Sequence, residues 1–302
     1  MQTLTERASE FFQELQQEII DGLEALDGEA KFFVDDWTRE PGDPDSPIQN
    51  GWGRTRVLED GRVFEKAGVN FSYVEGKFRP DHAASFPGEG LDFVACGVSL
   101  VLHPHNPHAP TVHANYRRLS RGSSGWFGGG ADLTPHYLYP DDATHFHQAH
   151  RDACAAHPDV ADYAAMKQAC DEYFYIPHRK EARGVGGIFF DHLIERPEET
   201  FSFVKSAGRA FLPAYLPIAE RRMNQAFTPE EREWQLVRRG RYVEFNLVVD
   251  RGTLFGLRTG GRIESILMSL PTMASWRYDH RPAAGSKEEE LLHAVKSPRD
   301  WV

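Results

Sequence analysis

The run Thr111-Val-His-Ala-Asn-Tyr-Arg117 alternates polar and apolar side chains with period two. Extended, it puts Thr111, His113, Asn115 and Arg117 on one face and Val112, Ala114 and Tyr116 on the other. One face packs, while the other presents an imidazole, an amide and a guanidinium in a row. A strand facing water carries mostly Thr, Lys, Glu or Ser, and a strand facing a core carries none of these groups. The chain therefore needs a sheet with one face turned toward something polar, and the guanidinium favours an anion.

Strand-like stretches lie at 31–37, 53–58, 61–67, 70–75, 93–102, 111–117, 241–250, 253–258 and 262–270. A helix over about 3–27 opens on a possible Thr3/Glu6 capping box, carries Phe12, Leu15, Ile19, Leu23 and Leu26 at helical spacing, and stops at Gly28. The polar segment REPGDPDSPIQNGWG after it reads as a loop. Helices are expected over 141–157 and 160–175, from Pro197 onward, and after the cap Thr228-Pro229-Glu230-Glu231. Strands in two blocks, with helices before, between and after, predict an α+β fold around an antiparallel sheet, one domain over 1–302.

With 40% apolar and 26% charged residues the chain can bury a large core. Its formal net charge of −11 argues against binding nucleic acid through a global basic surface. Basic residues gather locally at Arg117, Arg118 and Arg121, at Arg179, Lys180 and Arg183, and at Arg238, Arg239 and Arg241. That suits a small acidic ligand, although surface charge for solubility explains any one of them alone. Cys96, Cys154 and Cys170 show no CxxC spacing, so neither a disulfide framework nor a zinc knuckle is indicated. The apolar run Phe93–Leu102 is too short for a bilayer, and no signal peptide is visible, so a reducing cytoplasm is expected.

Ten of the fourteen histidines fall between 103 and 178. Gly97-Val-Ser-Leu-Val-Leu-His103-Pro-His105 begins like a cupin metal motif, but Pro110 stands where the glutamate belongs, and Pro104, Pro107 and Pro110 break the strand. His103, His113, His147 and His178 can still be imagined converging on a divalent metal, against the plainer reading of hydrogen-bonded structural histidines. In Trp126-Phe-Gly-Gly-Gly-Ala-Asp132-Leu-Thr-Pro135 the glycines allow close approach to a ligand or a sharp turn. Asp132 is then a general base or a mere turn cap. Tyr242, Glu244 and Asn246 align on one face if 242–249 is extended, and Thr259-Gly260-Gly261-Arg262 reads as a hairpin turn able to grip a carboxylate. Gly184-Val-Gly186-Gly187 does not complete a dinucleotide fingerprint.

Together these segments resemble the oxygen-dependent coproporphyrinogen III oxidases. The stretches carrying the likeness are AGVNFSYVEG (67–76), GVSLVLHPHNPHAPTVHANYR (97–117), WFGGGADLTP (126–135), DEYFYIPHR with ARGVGGIFFDHL (171–193), and GRYVEFNLVVDRGTLFGLRTGGRIESILMSLP (240–271). The resemblance implies a broad antiparallel sheet with helices on both sides, a homodimer, and oxidative decarboxylation of the ring A and B propionates of coproporphyrinogen III to vinyl groups. Oxygen is the oxidant, protoporphyrinogen IX the product, and carbon dioxide and hydrogen peroxide leave. The family's substrate residues match Ser99, Asn115, Tyr116, Arg117, Gly260, Gly261 and Arg262, its proton donor His113, and its pyrrole-facing aspartate Asp132. Bacterial members carry a divalent cation, manganese or another, on histidines matching His103, His113, His147 and His178. No organic redox cofactor is implied, because the electron-rich substrate gives electrons to oxygen itself.

One departure is the stretch RLSRGSSG after Arg117, shorter than the family's, with Gly125 in place of a tryptophan, which predicts a looser loop. Two other readings fit the same residues: a histidine-ligated metal dioxygenase of a different substrate, and a non-catalytic porphyrin carrier.

Overall fold

The computed structural model describes residues 2–39, 47–84 and 86–302, without the side chains at 81 and 82. Residues 40–46 of the expected loop lie outside the described residues.

The chain opens on α1 (Leu4–Asp27), whose Thr3/Glu6 capping box forms as expected and which ends at Gly28 in the left-handed region, φ 79°. A meander follows: β1 (Phe33–Thr38), β2 (Ile48–Glu59), β3 (Phe64–Lys77), a single turn α2 (Pro80–Ala83), β4 (Asp92–Pro104), β5 (Thr111–Arg121) and β6 (Ser124–Thr134). Next come α3 (Pro140–Ala155), α4 (Tyr163–Tyr173), the short β7 (Tyr175–Ile176) and β8 (Glu181–Ala182), and β9 (Gly186–Leu193). Helices α5 (Pro197–Arg209), α6 (Phe211–Arg222) and α7 (Pro229–Glu244) complete the packing, followed by a π turn (Phe245–Val249), α8 (Arg251–Arg258), α9 (Ile263–Leu267) and α10 (Lys287–Lys296).

The main sheet has seven strands in the order β1-β2-β3-β4-β5-β6-β9, each pair antiparallel. Its inner face, with Val69, Phe71, Val98, Leu100, Val112, Ala114, Tyr116 and Phe127, is buried with residues of α1, α3, α5 and α6 in one core. The stripe Phe12, Leu15, Ile19 and Leu23 on α1 is almost wholly covered there. Each such side chain contributes about 1.5–3 kcal/mol by leaving water. The outer face meets the other helices: Met268 just after α9 lies over Gly68, Phe174 after α4 meets the His113 ring at 5.6 Å, and Tyr242 of α7 meets His103 at 5.1 Å. The α+β reading and the helices on both sides are thus observed.

Several local expectations fail. The stretches 61–67 and 70–75 merge into one strand, β3, which starts only at Phe64 and runs without a break through both. Residues 126–134, given no strand above, make up most of β6, and 186–193, likewise given none, form β9. The glycines of β6 serve close strand packing: a Cβ at Gly129 would sit 2.5 Å from the Asn115 carbonyl oxygen.

The largest correction concerns 241–250, 253–258 and 262–270, expected as strands and found as the end of α7, the π turn, α8 and α9. At 241–246 strand propensity loses to tertiary burial, whereas α8, which buries none of its residues, starts on its own cap, the Asp250 carboxylate accepting from the Gly252 and Thr253 N–H groups. Gln235, Arg239 and Tyr242 recur at helical spacing on the buried side of α7, and Arg239 pairs at 2.8 Å with Glu65 of β3. Nor is Thr259-Gly260-Gly261-Arg262 a hairpin turn. Gly260 has φ 72° and the Gly261 N–H donates to the Gly256 carbonyl at 2.8 Å, which makes it the stop signal of α8.

The stretch after Arg117 is tighter than expected. β5 and β6 stay paired to Arg121↔Ser124, joined only by Gly122 and Ser123. Gly125 leaves room for the Arg118 guanidinium, which a Cβ there would meet at 2.4 Å.

Candidate functional site: a polar trough on the outer sheet face

Strand register assembles the site. Asp35, Thr55, Asn70, Ser99, Asn115 and Gly130 lie side by side from β1 to β6. The next row holds Trp37, Gly53, Ser72, Gly97, Arg117 and Gly128, and the row on the other flank includes Gly68, Val101, His113 and Asp132. Alternation places all of these on the outer face, as the period-two pattern of 111–117 requires. Ser99, His113, Asn115 and Arg117 are half-buried, whereas Thr55, farther toward β1 in the first row, is covered by Ser265 of α9, whose hydroxyl lies 2.7 Å from its own. Gly97, Gly128 and Gly130 flank Asn115 and Arg117 with no side chain, and the room left at Gly128 is taken by the side chains of Arg117 and Asp191.

At one wall His113 Nδ1 lies 2.9 Å from Asp132 Oδ1. Arg183 grips the same carboxylate through Nη2, at 2.8 and 2.9 Å from its two oxygens. Side chains of the Arg183–Asp132 pair are only 2% and 1% exposed. Burial works against charge on Asp132, but Arg183 and His113 outweigh it and hold the carboxyl below its ordinary range. Arg183 is itself boxed in by the rings of Phe174, Tyr242 and Phe245 at 4.2–4.7 Å and donates to Asn246 at 3.1 Å. An ionised Asp132 accepts the Nδ1 proton of His113, which leaves Nε2 as the ring nitrogen outside this pair. Asp132 itself has no exposed oxygen to offer.

The two expected carboxylate clamps sit on opposite sides of the trough. Arg117 pairs with Asp191 of β9 at 2.8 Å and donates to Asn115 at 3.0 Å. Arg262, at the start of α9, pairs with Asp35 of β1 at 2.7 Å, donates to Ser265 at 3.0 Å, and lies over the Trp37 ring. From β1 to β5 is four strand spacings, about 19 Å. The Gly260 carbonyl accepts from Arg39 at 2.8 Å, so the Gly260-Gly261 turn is tied to the end of β1. Tyr116 does not join this set: its ring is buried on the inner face and its hydroxyl donates to the Ala207 carbonyl at 2.9 Å.

The four histidines expected on a metal do not converge. His103 bonds the Ser269 carbonyl and Thr111, His147 bonds the Val185 carbonyl and Tyr163, and His178 bonds Glu244. Burial pushes His103 down to about 3 and His147 to about 4, so both are neutral rings serving as packing and hydrogen-bonding groups. Among the described residues no three His, Cys, Asp or Glu side chains are grouped to hold a cation. This donor set does not fit a metal.

Sequence reasoning missed Arg183, Asp191 and Asp35 as parts of the site. Arg183 stood in a noted basic cluster with no signal for its partner. Of the trio Tyr242, Glu244 and Asn246, the first and last do reach Arg183, because positions four apart share a helix face. Glu244 turns instead to His178 and Arg179.

Residues 7–301 match the family model described as coproporphyrinogen III oxidase. An oxygen-dependent coproporphyrinogen-III oxidase from Synechococcus sp. (strain CC9605) is 48% identical, covering 98% of this chain and 87% of that relative. With the match running through every strand of the trough, the chain belongs to the coproporphyrinogen III oxidase family.

Proposed function

We propose that this chain is an oxygen-dependent coproporphyrinogen III oxidase, converting two propionates to vinyl groups in haem biosynthesis. The observation that carries the reading is the single outer face on which His113, Ser99, Asn115, Arg117 and Arg262 gather around one trough. The tetrapyrrole lies on the floor, with carboxylates directed to Arg117 and Arg262, whose planar forks suit bidentate binding.

For each propionate the carbon next to the ring gives up one proton and two electrons, and the carboxylate leaves as carbon dioxide while its bonding pair completes the vinyl double bond. Oxygen accepts two electrons and two protons and leaves as hydrogen peroxide. His113, held by Asp132 with Nε2 toward the ligand, supplies or relays a proton to reduced oxygen. Asp132, expected to face a pyrrole N–H, is closed off by Arg183 and acts through His113. No step is assigned to a metal. As a homodimer without an organic redox cofactor, working in the cytoplasm, the enzyme follows the resemblance; among the described residues no helix is long and apolar enough to cross a membrane.

Oxygen uptake and vinyl-porphyrin formation from coproporphyrinogen III, with and without chelator, test this reading. It expects one oxygen consumed per vinyl group and activity that survives chelation. Binding without oxygen uptake would make the protein a carrier. Activity lost to chelator and restored by iron or manganese would favour a histidine-ligated dioxygenase.

A further inference from the structure

Both carboxylate clamps of the trough already hold a protein carboxylate. Asp191 occupies Arg117 and Asp35 occupies Arg262, at 2.8 and 2.7 Å. These pairs are half-open, with side-chain exposures of 35% and 28% for Arg117 and Asp191, and 31% and 28% for Arg262 and Asp35. Each guanidinium has a second, neutral tether in the trough: the Asn115 amide oxygen for Arg117 and the Ser265 hydroxyl for Arg262. Released by its aspartate, each fork would keep its aim. Gly128 makes room for one pair, since a Cβ there would lie 2.6 Å from Asp191 and 2.8 Å from Arg117.

We propose that Asp191 and Asp35 are place-holders, positioning residues that occupy the two arginines until carboxylates of the tetrapyrrole displace them. The inference rests on the proposed function, because it takes the ligand to be a polycarboxylate. The exchange is isoelectric: one carboxylate replaces another on each guanidinium, and neither arginine is left bare in the half-buried trough. A departing ligand meets the reverse exchange. The aspartates thus trade affinity for turnover.

Coproporphyrin III, the aromatic tetracarboxylate whose ring is already oxidised, serves as the probe. Asp191→Asn and Asp35→Asn remove the competing charge and keep the shape; at 191 the amide oxygen can still accept the His192 N–H that Asp191 now holds. Each variant should tighten binding about two- to fivefold, the range of a half-exposed ion pair. The double variant should show roughly the product, since the sites are far apart. KM for coproporphyrinogen III should fall by the same factors while kcat does not rise. Aspartates that merely brace the fold would instead give unchanged or weaker binding, and that result overturns the proposal. Should one variant fail to fold, the other decides alone. Wild-type protein that neither binds the probe nor consumes oxygen with coproporphyrinogen III sinks the functional reading and this one together. Wild-type turnover with untightened variants sinks only the place-holder idea.

Discussion

Two kinds of arginine–aspartate pair share the outer face of one sheet, and burial separates them. Asp132 and Arg183 are sealed from water, with aromatic rings around the guanidinium. The pairs Arg117–Asp191 and Arg262–Asp35 are about one-third exposed. Breaking a buried pair leaves a stranded charge, typically costing about 3–5 kcal/mol, whereas an exposed pair is worth about 0–1 kcal/mol. On the proposed reading the sealed pair is a fixed part that aims His113, and the open pairs are the contacts a ligand exchanges.

Substitutions can break this contrast. The largest effect is expected at Asp132→Asn, which should cut turnover about 10²–10⁴-fold. Coproporphyrin III affinity should change far less, because the carboxylate does not reach the trough. A matching loss of affinity would show Asp132 touching the ligand after all. Next, Glu65→Gln should destabilise the fold by about 3–5 kcal/mol in denaturant melts, since Glu65 is a second sealed acid, gripped by Arg239, Arg232 and Thr272. Burial raises the Glu65 pKa, yet Arg239 and the other partners outweigh it and push it down to about 2, from 4.5. A depressed carboxylate stabilises the fold fully above pH 4.5, and this contribution disappears as the pH falls toward 2. Acid unfolding in the glutamine variant should be correspondingly less steep over that range.

Smaller again is Arg262→Ala, which should raise KM about 10–100-fold with kcat nearly kept, the loss of one charge-assisted clamp. An unchanged KM would remove Arg262 from the trough. The smallest effects, of opposite sign, are those expected at Asp191 and Asp35.

What the sequence made legible follows from how local each signal is. The faces of β5 could be read directly, because period-two alternation is a property of seven consecutive residues. The α1 boundaries were equally plain, as Thr3, Glu6 and Gly28 carry their own hydrogen-bonding logic. By contrast, Tyr242-Val-Glu-Phe-Asn-Leu-Val-Val249 satisfies both a strand and a helix pattern, and only the distant Glu65 and Arg183 decide between them. The partnership of Asp132 with Arg183 spans 51 residues and leaves no local mark. For the same reason the histidine count misled: His103 and His147 are spent on backbone carbonyls that no sequence pattern identifies.

The trough itself is tested most directly by filling it. Ser99 lies at its centre, half-buried between Asn70 and Asn115, with its side chain away from the main core. Ser99→Phe should weaken coproporphyrin III binding roughly tenfold or more by steric conflict, with the melting curve little changed. Wild-type affinity in a folded Ser99→Phe protein would place the macrocycle elsewhere and contradict the account.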